Sequence, residues 1–312
     1  MGGAFPHKTL KGAGAYGTHP VPKKGPLIAF LLPAFLFLVL FLYYPFVQNI
    51  LNSFSDITGL GAPARGLNNP WFINYATLFT DPKLRTALGN TVLLTACTVI
   101  FQVGIALILA LLVDSIRVGA QLFRTLYFFP IVISATALGL MFNLIFLYPS
   151  GMLNQLLGNL GLAARGIDWK DPDHFLFTMF APVMWQYVGF YFVILVTGLN
   201  NISQDLYEAA ALDGCTGLNR VRYVTLPLLR NVLCTCLVLA ITGALKVFDL
   251  PWVMFGAGMP LDQGWLTGTY MYDQTFNRGN VDYGSAIAVL IVVLGVLFSN
   301  IANRVFKPRD DI

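Results

Sequence analysis

From about residue 27 the chain alternates long apolar stretches with shorter polar ones. The apolar stretches fall at about Leu27–Val47, Thr91–Val113, Phe123–Leu147, Phe175–Leu199, Val232–Phe255 and Ser285–Phe306. Each offers roughly 20 residues or more, enough at about 1.5 Å per residue to cross a hydrocarbon core about 30 Å thick. The pattern predicts an all-α integral membrane fold with six transmembrane helices over residues 27–306. A flexible N-terminal tail over 1–26, rich in Gly, Pro and Lys, precedes it, and a short polar tail over 307–312 follows. Asp81-Pro82 and Pro70-Trp71-Phe72 read as turns in a loop with short surface helices.

Composition agrees with the pattern. Only 11% of the residues are charged, against about 25% in a soluble domain. The net charge of +4 is too mild to point to nucleic acid. Its distribution is informative. Lys8, Lys11, Lys23, Lys24, Arg117, Arg124, Arg220, Arg222, Arg230, Arg304, Lys307 and Arg309 fall on one side of the predicted membrane. Arg65, Lys83, Arg85, Arg165, Lys170 and Arg278 fall on the other, and Lys246 lies inside the fifth span. The richer side is expected to be cytoplasmic, which places both termini there. The tail holds no apolar segment of the kind a cleaved signal peptide needs. Cys97, Cys215, Cys234 and Cys236 read as small packing residues rather than a disulfide or metal framework.

Between spans four and five lies EAAALDGCTGLNRVRYVTLPLL, residues 208–229. Ser203 can cap a helix that carries Asp205 and Glu208 near its positive end. Ala209 to Ala211 leave a low-relief surface, and Gly214 can end the helix in a left-handed conformation. A second helix is expected from near Thr216 to Pro227. On pattern alone this is either an ordinary surface helix between two spans or a small-surfaced tip that docks into a groove.

The residues themselves resemble a known family. Glu208-Ala209-Ala210, then Asp213-Gly214, then Leu226-Pro227 are similar to the EAA loop of bacterial ABC importer permeases, in spacing and in position between spans four and five. Leu206-Tyr207, the stretch Phe248 to Met254 and Asp282 to Ile287 resemble its maltose-type, sugar-importing branch. Cys215 stands where Ala is usual and Val221 where Phe is usual, and Gly256 to Pro260 blurs the usual Gly-Gly-Pro.

The resemblance implies a heterodimer with a second homologous permease, two cytoplasmic ABC ATPase subunits and an extracytoplasmic solute-binding protein, in the bacterial plasma membrane. It implies ATP and Mg bound by the partner ATPases and no cofactor in this chain, which carries no Walker-type phosphate loop. It assigns Glu208 as a polar anchor of the coupling helix, Ala209, Ala210 and Gly214 as its close-contact surface, and Asp213 to the turn or an ionic contact. Transport would be of a sugar or oligosaccharide, by alternating access. Another polar solute such as a glycerol phosphate ester is the alternative within the family, and an ion-coupled secondary transporter the alternative outside it.

Polar residues inside spans are costly and usually face an interior cavity. Span four carries Trp185, Gln186, Tyr187 and Phe190; span five carries Gly243, Lys246 and Asp249. These form the candidate substrate path, since sugars bind against aromatic faces with a few hydrogen-bonding groups nearby. Aromatics at such positions are also packing or interfacial residues. Lys246 and Asp249, three apart, can equally form an ion pair on one helix face. Asp168, Asp171, Asp173 and His174 read as a solvated outer loop rather than a metal site, and no Ser/His/Asp or Cys/His set suggests catalysis.

Overall fold

The computed structural model describes residues 24–115, 119–162 and 166–306. The tail at 307–312, all but the last residues of the tail at 1–26, and Arg117 and Arg165 of the charge asymmetry lie outside them. Along the chain the helices are α1 (Ile28–Asn52), α2 (Ile73–Thr80), α3 (Pro82–Asp114), α4 (Ala120–Val132), α5 (Ala135–Ile145), α6 (Met152–Asn159), α7 (Phe175–Asn200), α8 (Gln204–Leu212), α9 (Gly217–Arg220), α10 (Arg230–Leu245), α11 (Asp249–Phe255), α12 (Thr267–Tyr272) and α13 (Val281–Phe306).

The described residues divide into two compact units, one up to Gln48 and one from Asn49. In the first, α1 contains Pro33 and a π turn at Val39–Tyr43. Its phenylalanines at 30, 35, 37 and 41 are exposed, a surface suited to hydrocarbon. The second unit is a helical bundle centred on α7. That helix buries 56% of its apolar window, against 33% or less for the other spans. Helices α3 and α4 pack along it, and Val103, Ala106, Ala110, Phe192 and Leu195 form one continuous core.

Among the described residues, five helical segments are long and apolar enough to cross a membrane, and a sixth crossing requires α4 and α5 together, bent by 94°. The span expected at about 123–147 is thus made of two helices with a bend between them. Pro130 has no N–H to give to the preceding turn, Ile133 is extended, and the Ser134 hydroxyl accepts from the Ala137 amide at 3.2 Å and starts a new helix. The second span is longer than its apolar run. It starts at Pro82, with Asp81 as its N-cap, so Asp81-Pro82 is a helix start rather than a loop turn.

The fifth span breaks at Lys246. Helix α10 ends at Leu245 and α11 begins at Asp249. Pro251 accounts for the position of the break. In a continuous helix it would bond to Val247, but it has no N–H to give and its ring would meet that carbonyl. In the first turn of a new helix it is tolerated. Consequently Lys246 and Asp249 do not share a helix face. The ion pairs among the described residues are Lys83–Asp262, His174–Asp171 and Arg278–Asp273, so the expected Lys246–Asp249 pair does not form.

The segment between α5 and α7 is also less solvated than its composition suggests. Trp169 is buried, and its indole N–H donates to Asn154 Oδ1 at 3.0 Å. The Lys170 ammonium donates to Asn143 Oδ1 at 2.7 Å and to the Met254 carbonyl at 2.8 Å, which fastens the loop to α5 and to the end of α11. Burial pushes the Lys170 pKa below its ordinary value, with the Asp168 charge partly opposing.

At the same end of the bundle a polar network joins α3, α12 and α13. Asp81 Oδ2 accepts from the hydroxyls of Tyr270 at 2.6 Å and Tyr283 at 2.7 Å, and Oδ1 accepts from the Lys83 amide at 2.9 Å. Burial, the largest single influence on Asp81, raises its pKa. The two phenols and the Leu84 and Lys83 amides together outweigh it and hold the carboxyl below its ordinary value. A depressed folded-state value means that this stabilisation is present above the unfolded pKa and is lost as pH falls through the folded one. The melting midpoint in detergent is therefore expected to fall below about pH 4. Asp81→Asn should lower it at neutral pH by about 2–4 kcal/mol equivalent, because charged hydrogen bonds become neutral ones. It should also flatten the acid dependence. An unchanged midpoint in the variant would show that the network does not hold this end together.

Candidate functional site

A cavity of about 330 Å³ opens in the middle of the bundle, between α3, α7 and the break from α10 to α11. Gln186, Tyr187 and Phe190 reach it from α7, Gly243 from α10, and Lys246 and Asp249 from the break. Six of the seven residues expected from the sequence therefore line one space. Trp185 does not. It points to the other side of α7, half exposed, edge-on to Phe142 with ring centres 5.7 Å apart.

Local structure explains how each group is held. Gln186 is buried, and its amide donates to the Ile133 carbonyl at 3.4 Å, which the α4–α5 break leaves without a helical partner. Gln186 thus ties the bent span to α7 at the wall of the cavity. Gly243 leaves room in front of the Tyr191 ring, whose hydroxyl lies 4.0 Å from where a Cβ would stand. The break itself is clamped from behind by Gly268, where a Cβ would lie 2.7 Å from the Val247 carbonyl.

Several lining residues were not among those expected. Thr98 and Gln102 lie four apart on α3, one helical turn, and both are buried. Gln102 donates to the carbonyls of Val183 at 3.1 Å and Met184 at 3.3 Å. A polar pair at helical spacing inside an apolar run was the signal that would have found them. Phe248, also on the lining, stacks with Trp252 at 5.6 Å and Tyr272 at 4.6 Å.

The second candidate region is the α8–α9 hairpin. Ser203 caps α8, its hydroxyl accepting from the Asp205 amide at 3.3 Å. Gly214 ends the helix at φ +76°, with the Cys215 amide bonded to the Ala210 carbonyl at 2.8 Å and the Gly214 amide to Ala211 at 3.1 Å. This reciprocal pair closes the helix in a Schellman motif, which a residue with a side chain at 214 would strain. From α9 the chain continues through a π turn, Val221–Thr225, and passes Pro227 before turning at Leu229. The Arg220 guanidinium lies over the Tyr207 ring at 5.2 Å and joins the two arms.

Glu208, Ala209, Asp213 and Gly214 are exposed on this hairpin. Ala210 is buried, so it supports the surface from within rather than forming it. Leu212 and Leu218 were not expected. They flank the turn and are 90% and 87% exposed, an apolar tip that nothing in the chain covers among the described residues. The hairpin sits at the opposite end of the bundle from the Asp81 network. There α7 ends, α10 begins, and Arg230 donates to the Val305 carbonyl of α13 at 3.2 Å.

Residues 102–310 match the model of the binding-protein-dependent transport system inner membrane component. The chain belongs to that family. The permease is 31% identical to the probable ABC transporter permease protein YurN of Bacillus subtilis, over 90% of this chain and 96% of the relative. It is 28% identical to the arabinooligosaccharides transport system permease protein AraP of the same organism, over 92% and 94%. Its fold matches a chain of a bacterial ABC transporter involved in the import of the acidic polysaccharide alginate. The TM-score is 0.78 at 23% identity, covering 90% of the permease and 95% of that chain. The permease is thus a membrane-embedded transport subunit of the ABC importer type, and the family is not itself catalytic.

Proposed function

We propose that the permease moves a sugar or oligosaccharide into the cytoplasm through the central cavity, by alternating access driven from outside the chain. The observation that carries this reading is the cavity itself. It combines amide and charged groups with the rings of Tyr187, Phe190 and Phe248, the mixture that suits a polyhydroxylated ring. The similarity to AraP, an arabinooligosaccharides transport system permease protein, points the same way.

The α8–α9 hairpin is the coupling element in this reading. Its apolar tip and exposed Glu208 fit a cleft on a cytoplasmic ATPase, and the Lys/Arg asymmetry supports a cytoplasmic hairpin and cytoplasmic termini in the bacterial plasma membrane. A second homologous permease completes the pathway. Two ABC ATPases bind ATP and Mg, and an extracytoplasmic binding protein delivers the solute at the end that carries the Asp81 network. Lipid surrounds the apolar faces.

Mild-detergent capture of the tagged permease should recover an ATPase and a second permease of six spans. Recovery of the chain alone, with uptake insensitive to ATP depletion, would replace this reading with an ion-coupled transporter. Gln186→Ala should lower uptake at limiting substrate at least several-fold while leaving ATP hydrolysis stimulated by the binding protein. An unchanged KM for transport would remove Gln186 from the path.

A further inference from the structure

Lys246 and Asp249 are the charged groups among the residues that line the central cavity. Neither belongs to an ion pair among the described residues. Both stand within the apolar segment Arg230–Phe255 and both are exposed there, so in a membrane each needs a polar surface such as the cavity to face. On a continuous helix they would sit at i and i+3 and could neutralise each other. The break at Lys246–Phe248, imposed by Pro251 and clamped from behind by Gly268, holds them off a common face. The remaining lining carries amides, hydroxyls and rings without formal charge.

We propose that Lys246 and Asp249 form a charge-balanced couple that sets the ligand class of the cavity, admitting uncharged polyhydroxylated solutes and excluding those with a net charge. This rests on the reading of the cavity as the transport path. The ammonium and the carboxylate do not pair with each other in the structure, and a hydroxylated ligand can satisfy both, donating to Asp249 and accepting from Lys246. Such a ligand leaves the cavity neutral. An anion would gain Lys246 and face Asp249 with like charge, and a cation would meet the reverse. Phosphate esters and uronates are disfavoured on this account, and neutral saccharides fit.

The couple is testable without knowing the solute. A single thiol is placed on the lining by Gly243→Cys, with the native cysteines replaced, in the importer assembled with its partner subunits. It is then labelled with three methanethiosulfonates that carry a sulfonate, a trimethylammonium or a hydroxyl group. Rates are divided by those of a free thiol. The hydroxyl reagent is expected to outpace both ions, which should differ little from each other. Asp249→Asn should then favour the sulfonate, and Lys246→Gln the ammonium, by about tenfold, as in clefts lined by one sign of charge. A strong preference for one ion in the parent, or ratios that neither substitution moves, would overturn the proposal. If the thiol at 243 prevents assembly, Tyr187→Cys supplies the second position, and failure of an assembled importer to label at either would also overturn it. Whether ATP and the loaded binding protein change the labelling rate tests the transport reading separately, since the charge ratio does not depend on it.

Discussion

Gly189→Val is expected to leave almost no folded permease. Gly189 lies on α7 where α4 crosses it, and a Cβ there would collide with the backbone carbonyl of Tyr127 and crowd the Cα of Phe128. The obstacle is backbone rather than the end of a flexible side chain, so the helices would have to separate. Separation would also open the edge-on contact of Tyr127 with Phe192, centred at 5.3 Å, in the core around α7. It would further pull the Ile133 carbonyl away from Gln186, and with it one wall of the cavity. Small residues are what allow close helix approach in lipid, where no hydrophobic force drives the helices together. The cost should exceed about 4 kcal/mol, in the range reserved for severe core disruption. Gly189→Ala should already be damaging, because the first side-chain atom is the one that collides. Gly104→Ala on α3 is the control, since a Cβ there meets nothing within 4 Å. Removing a mid-helix glycine should be neutral or stabilising by up to about 1 kcal/mol. Fluorescence-detected size exclusion and melting in detergent would measure both variants. A monodisperse Gly189→Val protein with an unchanged midpoint would mean that α4 and α7 do not meet as described.

Periodicity made the spans legible and left their irregularities obscure. Hydrophobic runs placed α7 and α13 within a few residues of their ends, because a span in lipid has to be long, apolar and helical. Local chemistry placed the hairpin as well. A Ser before an acidic helix start and a Gly after an alanine run act through their immediate neighbours, and both are found at work at Ser203 and Gly214. The breaks at Ile133 and Lys246 are different. An apolar window does not change when a helix bends inside it, and a proline within a span is compatible with a kink, a break or neither. Pro182 makes the point, since α7 runs through it. What decides is tertiary structure: whether freed carbonyls such as Ile133 and Leu245 find new donors, here Gln186 and Thr267. The same limit explains Trp185, whose side of α7 depends on where α5 folds back. It explains the buried Trp169 as well, in a loop that looks polar by composition.

Charging the tip of the hairpin should stop transport while leaving the permease intact. Leu212 and Leu218 contribute almost nothing to the chain's own packing, so Leu212→Asp with Leu218→Asp should change the melting midpoint by no more than about 0.5 kcal/mol equivalent. At an interface the same change places two carboxylates into an apolar contact, where each unpaired buried charge is expensive. Uptake should fall at least tenfold, and capture of the ATPase in detergent should weaken in parallel. Glu208→Lys should act similarly, because it removes the exposed carboxylate beside them and reverses its charge. Gly214→Pro separates shape from charge. Proline holds φ near −65° and cannot adopt the +76° found here, so the Schellman turn must open and move the two leucines apart. The Tyr207–Arg220 contact would still link the arms below. That variant should therefore insert and assemble poorly coupled, with ATP hydrolysis that no longer responds to the loaded binding protein. An ordinary inter-span loop predicts the opposite for all three variants: normal membrane levels, normal uptake and normal stimulation. Finding wild-type uptake in the double aspartate variant would be enough to remove the hairpin from the coupling pathway.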